Sequence, residues 1–288
     1  MKRILFLLNY LIILSCFAQL KTETFDVYEK HGFYNLSDTA NSKLIIFLHG
    51  GVRNPYFRES SKQIPLNHLI ENNVNFLKQA AENGFDLLLP IVDDSLNWLE
   101  RPQQSFSILK NYLAAIPKFY RQIYIAGFSD GGTGSFIIFY SHPEFFDGLV
   151  VFNGYPQHSN FSSKVDYSVI HEKKIVFFGT SEDKRIPYEF LLTEYCAQKK
   201  ENADTYFYLS SGGHSFNNYE EEDVKKLFHI LSDQVKNHQT TPIHGYVEND
   251  QPKHVYRFRK KIIKKYNYGE ETYHENTKQI KQYKGLVK

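Results

Sequence analysis

The sequence predicts an α/β chain built on a mostly parallel, doubly wound sheet that opens with an antiparallel hairpin. Three observations predict it. From Thr24 onward, apolar runs of strand length alternate with stretches of helical period. From Leu44 these runs are near-continuously apolar, as strands covered on both faces must be. At 288 residues with 42% hydrophobic content, the chain can bury one substantial core, so one main domain with an appendage fits the length better than two equal domains.

The first segment stands outside that fold. Lys2 and Arg3 precede the apolar run Ile4 to Leu14, and Ser15-Cys-Phe-Ala18 follows before Gln19. This is the layout of a secretory signal over residues 1–18, with cleavage after Ala18, and it implies export to the periplasm or the medium. The run falls short of the ~20 apolar residues a membrane span requires, so no stable span is expected. Ile13-Leu-Ser-Cys16 also resembles a lipoprotein processing box, which would leave Cys16 lipidated as an alternative anchor. After cleavage at Ala18 only Cys196 remains, so no internal disulfide can form, and Cys196 reads as a buried structural thiol.

The strands expected in order are Thr24 to Glu29 and Gly32 to Leu36 as the hairpin, then 43–48, 85–91, 122–126, 148–152, 174–178 and 205–209. Between them, Ile70, Val74, Leu77 and Ala81 form one apolar stripe of a helix ended by Asn83-Gly84. A helical run covers Gly132 to Tyr140, and Val224, Leu227, Leu231 and Val235 repeat the stripe near the domain's end. That last helix opens with the acidic run Glu220 to Asp223 and closes with Lys236 and His238, which suits its dipole. The main domain therefore spans residues 24–238.

Composition shifts after His238. Residues 240–288 are basic and rich in Lys, Tyr, Asn and Glu, and Tyr246-Val-Glu-Asn249 recurs as Tyr273-His-Glu-Asn276. The echo resembles the β-hairpin repeats of the MORN type, and a disordered basic tail is the other reading.

A formal net charge of +2, from 34 basic and 32 acidic residues, gives no global field for nucleic acid. No His-x-x-x-His or cysteine cluster and no phosphate-binding glycine loop appears, so neither metal nor cofactor is expected. Function has to reside in a local site.

The candidate is Gly127-Phe-Ser-Asp-Gly-Gly132, which fits G-x-S-x-G between a predicted strand and a predicted helix. In that setting Ser129 sits on a tight turn above the carboxyl edge of the sheet. Its hydroxyl is a weak nucleophile at neutral pH, so a base is needed, and the base needs a carboxylate to orient it. The loop 179–187 after the predicted strand 174–178 offers Glu182 and Asp183. The loop Ser210-Ser-Gly-Gly-His214 after the last strand offers His214, one of twelve histidines. Ser, acid and His thus follow three separate strands. The charge that develops on a carbonyl oxygen needs fixed donors, and one is the backbone N–H of Asp130, directly after the nucleophile.

On these residues the stretch from about 24 to 238 resembles the α/β-hydrolase superfamily. Within it, Ser141-His-Pro-Glu-Phe-Phe-Asp-Gly-Leu-Val-Val-Phe-Asn-Gly154 is similar to secreted carboxylesterases of the polyhydroxyalkanoate-depolymerase and feruloyl-esterase kind. The resemblance implies a serine esterase on an α/β-hydrolase fold. It favours Asp183 over Glu182, because the register Asp-x-x-Ile-Pro matches the acid loop of such enzymes. It also implies a second oxyanion donor in the turn Leu48-His-Gly-Gly-Val52, at Gly51 or the adjacent Val52.

Only residues 153–173 separate the strands near Val151 and Val176, which leaves no room for a large cap. The loops 53–65 and 93–102 are then expected to shape the opening, with Trp98 and Tyr155 as candidate substrate-lining residues. The substrate is a small-molecule or polymeric ester, and oligomeric state stays open. A peptidase of prolyl-oligopeptidase type, suggested by the second glycine at 132, and a non-catalytic surface protein on the same fold are the competing readings.

Overall fold

The computed structural model describes residues 22–24, 31–34, 43–51, 74–92, 96–155, 167–200 and 203–232. The leader with Cys16, the 240–288 extension with its expected hairpin repeats, Val52 and the loop 53–65 lie outside these residues. Among these residues there are eight strands: β1 Thr22–Thr24, β2 His31–Tyr34, β3 Lys43–Leu48, β4 Phe85–Pro90, β5 Gln122–Phe128, β6 Gly148–Phe152, β7 Lys174–Thr180 and β8 Asp204–Ser210. Five described α-helices accompany them: α1 Val74–Glu82, α2 Pro102–Ala115, α3 Asp130–Ser141, α4 Glu189–Lys200 and α5 Glu221–Leu231.

All eight strands join in one sheet, in the order β1-β2-β4-β3-β5-β6-β7-β8. From β4 to β8 every pairing is parallel, while β1 with β2 and β2 with β4 are antiparallel. The antiparallel start is as expected. The first described strand is Thr22–Thr24, with Thr22 opposite Tyr34 and Thr24 opposite Gly32; residues 25–29 of the expected strand lie outside the described residues. An edge strand reading Thr-Glu-Thr carries no apolar alternation by which to be placed.

Side-chain alternation explains why the inner strands β3 to β7 are mostly apolar. In β3, Leu44, Ile46 and Leu48 enter one core and Ile45 and Phe47 the other. The first core is closed by α2, α3 and α4 through Phe106, Leu109, Phe136 and Leu191. The second is closed by α1 and α5 through Phe76, Leu77, Leu227 and Phe228. Of the described side chains of α1, Phe76, Leu77 and Ala80 enter the core and Ala81 is only partly buried; Ile70, expected on the same stripe, lies outside the described residues. In the second core, Phe76 meets Phe47, Phe216 and Phe228 with ring centroids 5.6, 5.8 and 5.3 Å apart. Each buried phenylalanine contributes roughly 2–3 kcal/mol by burial, and each ring pair about 1 kcal/mol more.

The winding direction reverses at β3, whose neighbours are β4 on one side and β5 on the other. The chain leaves β3 toward α1 on one face and leaves β5 into α3 on the opposite face. The carboxyl ends of the two strands at such a reversal are the usual ligand position in an open parallel sheet. No helix among the described residues is long and apolar enough to cross a membrane.

One buried carboxyl is carried by a helix. Glu194 of α4 is 4% exposed, and its Oε1 accepts a hydrogen bond of 3.0 Å from Gln198 Nε2. Burial raises its pKa to about 7, against an ordinary 4.5. A raised folded-state value means that the folded chain holds this proton more tightly. The stability contributed is complete below about pH 4.5 and is lost as pH rises through about 7. Glu194→Gln is expected to gain roughly 3 kcal/mol relative to the parent chain between pH 4.5 and 8, read from urea unfolding at both ends. A pH-independent difference between the two proteins would contradict this.

Candidate active site

Ser129 stands between β5 and α3 with φ 57° and ψ −121°. A non-glycine residue on that side of the map costs about 1–3 kcal/mol, and it persists only where its surroundings enforce it. Here they do. The turn is so tight that a Cβ on Gly131 would lie 1.9 Å from the Leu48 carbonyl oxygen, and one on Gly127 would lie 2.3 Å from the Gly131 oxygen. Ser129 N–H donates to Phe152 O at 3.0 Å, which ties the turn to the end of β6. Both motif glycines are thus dictated by backbone crossing backbone.

The residues expected around Ser129 come together in space. His214, on the loop after β8, places Nε2 2.7 Å from Ser129 Oγ and Nδ1 2.6 Å from Asp183 Oδ2. A carboxylate only accepts, so His214 Nδ1–H donates to Asp183 and Nε2 accepts the Ser129 hydroxyl proton. The Asp183 side chain is fully shielded, whereas 9% of the His214 side chain stays exposed. Asp183 Oδ1 accepts backbone N–H bonds from Arg185 at 2.8 Å and Ile186 at 2.9 Å. Its loop therefore wraps around the carboxyl group it presents. Glu182, the alternative acid, is exposed.

His214 is steadied from below as well. The Phe128 ring lies 5.0 Å from the imidazole, and Phe216, two residues past His214, is sunk into the second core beside Phe47 and Phe152. Asn218 Nδ2 and Thr180 Oγ1 both donate to Gly213 O, at 2.6 and 2.8 Å, fixing the residue before His214.

Asp130 is the first residue of α3, where backbone N–H groups point out of the helix end and the dipole favours negative charge. The turn after β3 presses against the same spot: a Cβ on Gly50 would come within 2.9 Å of Ser129 Cβ, and Gly51 takes φ 77°. His49 braces this turn from inside. Its Nδ1–H donates to Gly50 O at 2.8 Å, its Nε2 accepts Val92 N–H at 3.1 Å, and burial lowers its pKa to about 4. The ring is neutral at pH 7, as an acceptor at Nε2 requires.

Trp98, expected at the opening, is instead fully enclosed, with none of its surface exposed. It meets His49 edge-on at 4.9 Å and fills the space over α3 where a Cβ on Gly134 would come within 2.2 Å of its ring. It packs beneath the loop. Tyr155 is nearly enclosed too, at 9% exposure; its backbone N–H donates to Thr133 Oγ1 at 2.9 Å and its ring meets Phe190 at 4.6 Å. Among the described residues, no three His, Cys, Asp or Glu side chains gather as metal ligands.

One part of the site went unread in the sequence. Asn153, immediately after β6, has φ 44°. Its Nδ2 donates to Asp183 Oδ2 at 2.6 Å and to Thr180 Oγ1 at 2.8 Å, and its Oδ1 accepts from Tyr219 Oη. The Asn153-Gly154 pair at the end of an apolar strand was the available signal, since it marks a turn on the same sheet edge as Ser129. Nothing set Tyr219 apart from the other tyrosines of the chain.

No family model and no curated protein matches this chain. Solved structures do. A fluorophosphonate-binding serine hydrolase of Staphylococcus aureus is 13% identical with a TM-score of 0.54, covering 74% of this chain and 97% of its own. Est1E from Butyrivibrio proteoclasticus is 13% identical with a TM-score of 0.52, covering 76% and 99%. An acylaminoacyl peptidase of Pyrococcus horikoshii is 14% identical with a TM-score of 0.50, covering 75% of this chain and 40% of its own. The chain has the α/β-hydrolase fold. Likeness at these identities concerns the fold alone, and it spans proteins named for different chemistries.

Proposed function

We propose that this chain is an exported serine hydrolase that cleaves carboxylic esters through an acyl-enzyme on Ser129. The observation that carries the reading is the unbroken line of hydrogen bonds from Asp183 Oδ2 through the His214 ring to Ser129 Oγ, 2.6 and 2.7 Å long. As Ser129 Oγ attacks the ester carbonyl carbon, His214 Nε2 takes the hydroxyl proton, and Asp183 steadies the imidazolium that forms. The carbonyl oxygen becomes an oxyanion facing the N–H of Asp130 and a second N–H from Gly51 or Val52, each donor worth about 3 kcal/mol in the transition state. His214 then returns the proton to the departing alcohol oxygen, leaving Ser129 acylated. Water attacks the acyl carbon with His214 as base, and the acid departs.

A peptidase of prolyl-oligopeptidase type is the second reading. The extra glycine at 132, which packs with its Cβ position 3.0 Å from Gly154 Cα, supports it. Turnover of short acyl esters and of aminoacyl or peptidyl amides separates the two. Ester turnover exceeding amide turnover, and lost in Ser129→Ala, is expected. Amide cleavage in excess would favour the peptidase, and turnover of neither would leave a binding protein on a hydrolase fold. Export is read from residues 1–18; a mature chain that begins at Gln19 is expected by mass, and lipid on Cys16 would replace that reading.

A further inference from the structure

Asn153 occupies an unusual place. Its backbone sits on the left-handed side of the map, a conformation that asparagine tolerates better than most side chains but that still has a cost. In return its amide is fully used. Both Nδ2 hydrogens are donated, one to Thr180 Oγ1 and one to Asp183 Oδ2, while Oδ1 accepts from Tyr219 Oη. Those partners fix which end of the amide faces the carboxylate, because Asp183 can only accept. Thr180 passes the connection on to Gly213 O, next to His214. One side chain at the end of β6 thereby ties together the loops after β7 and β8.

The oxygen that receives Asn153 matters most. Asp183 Oδ2 takes the Asn153 donor and the His214 Nδ1 donor, both at 2.6 Å. Two donors on one oxygen compete for its charge, so the Asn153 N–H draws off part of the attraction that Asp183 exerts on a protonated ring.

We infer that Asn153, backed by Tyr219, is a positioning residue that aims Asp183 Oδ2 at His214 and moderates the hold of that carboxylate on the imidazolium. The inference rests on the triad reading proposed above. Tyr219 suits its part: it is 2% exposed, its ring packs on Phe152 and Phe178, and burial, with the charges of Asp183 and Asp223 behind it, keeps its hydroxyl protonated well above pH 10. The titratable groups bearing on the pair are thus Asp183, His214, Tyr219 and Asp223.

The test compares the full chain with Asn153→Ala and Tyr219→Phe on a short acyl ester across pH, alongside fluorophosphonate labelling and the downfield proton resonance of His214 Nδ1–H. For Asn153→Ala, kcat falls about 10- to 100-fold, the loss that follows removal of a hydrogen bond to a charged group, with KM little moved. The acid limb of the rate profile moves to higher pH, and the resonance shifts. Tyr219→Phe moves both in the same direction by less. A folded Asn153→Ala chain that still labels, with its acid limb and resonance coinciding with the parent's, overturns the inference and leaves the triad reading standing, whatever happens to kcat. A parent chain that neither labels nor turns over ester overturns the triad reading and this inference with it. Should Asn153→Ala fail to fold, Tyr219→Phe decides alone, and an unmoved limb and resonance sink the idea.

Discussion

Replacing His214 by alanine is expected to lower kcat on an activated ester by roughly 10⁴- to 10⁶-fold with little change in KM. The ring is the only group described within hydrogen-bond reach of Ser129 Oγ that can take its proton, at 2.7 Å. Without it the hydroxyl is left at its ordinary, poor nucleophilicity, and only substrate binding and the oxyanion donors act. Asp183→Asn should approach the same loss, at about 10⁴-fold, for a different reason. An amide nitrogen turned toward His214 Nδ1 would favour the tautomer with its proton on Nε2, where it meets the serine hydroxyl instead of receiving from it. The effects should not add, since the three residues act as a unit. A double variant much slower than His214→Ala alone would show that Asp183 acts by another route.

The second large effect concerns the fold beneath the site. Gly131→Ala is expected to remove more than about 4 kcal/mol of stability, enough to leave little folded chain. The added carbon would lie 1.9 Å from Leu48 O and within 2.6 Å of His49 O, both backbone atoms of the turn that faces Ser129. Neither can swing aside as the tip of a side chain could, so β3, α3 or both must move. Gly84→Ala is the matched control. That glycine has φ 75° but open space around it, so it should lose only about 1 kcal/mol from backbone strain. Equal losses at the two positions, measured by urea unfolding, would contradict the account of the elbow.

The inner strands from Lys43 to Thr180 were legible because they had to be apolar on two faces, and that leaves a run no alternation can imitate; the edge strand β8 alternates between buried and half-buried positions. That Ser129, Asp183 and His214 come together was legible because each follows a strand end, where the parallel sheet gathers its loops. What stayed hidden depends on contacts between distant parts of the chain. The stripe on α1 was read from spacing, but which face turns inward was decided by the volume of Phe76 against Phe47 and Phe228. Helix α2 begins with Pro102 at its first turn, a usable mark that its irregular apolar pattern obscured. Trp98 looked like a lining residue because of the loop it occupies. Its burial follows from Gly134, whose bare backbone admits the indole, and that pairing has no local signature. Asn153 and Tyr219 meet from the ends of different elements, and a single sequence carries no trace of that meeting.

We propose Ser129 as the activated nucleophile of this fold. Labelling of the full chain with a fluorophosphonate, followed by mapping of the modified peptide, tests it most directly. Covalent phosphonylation is expected on Ser129 Oγ, abolished in Ser129→Ala and strongly slowed in His214→Ala. A folded chain that takes no label, or that carries it on another residue, would contradict it.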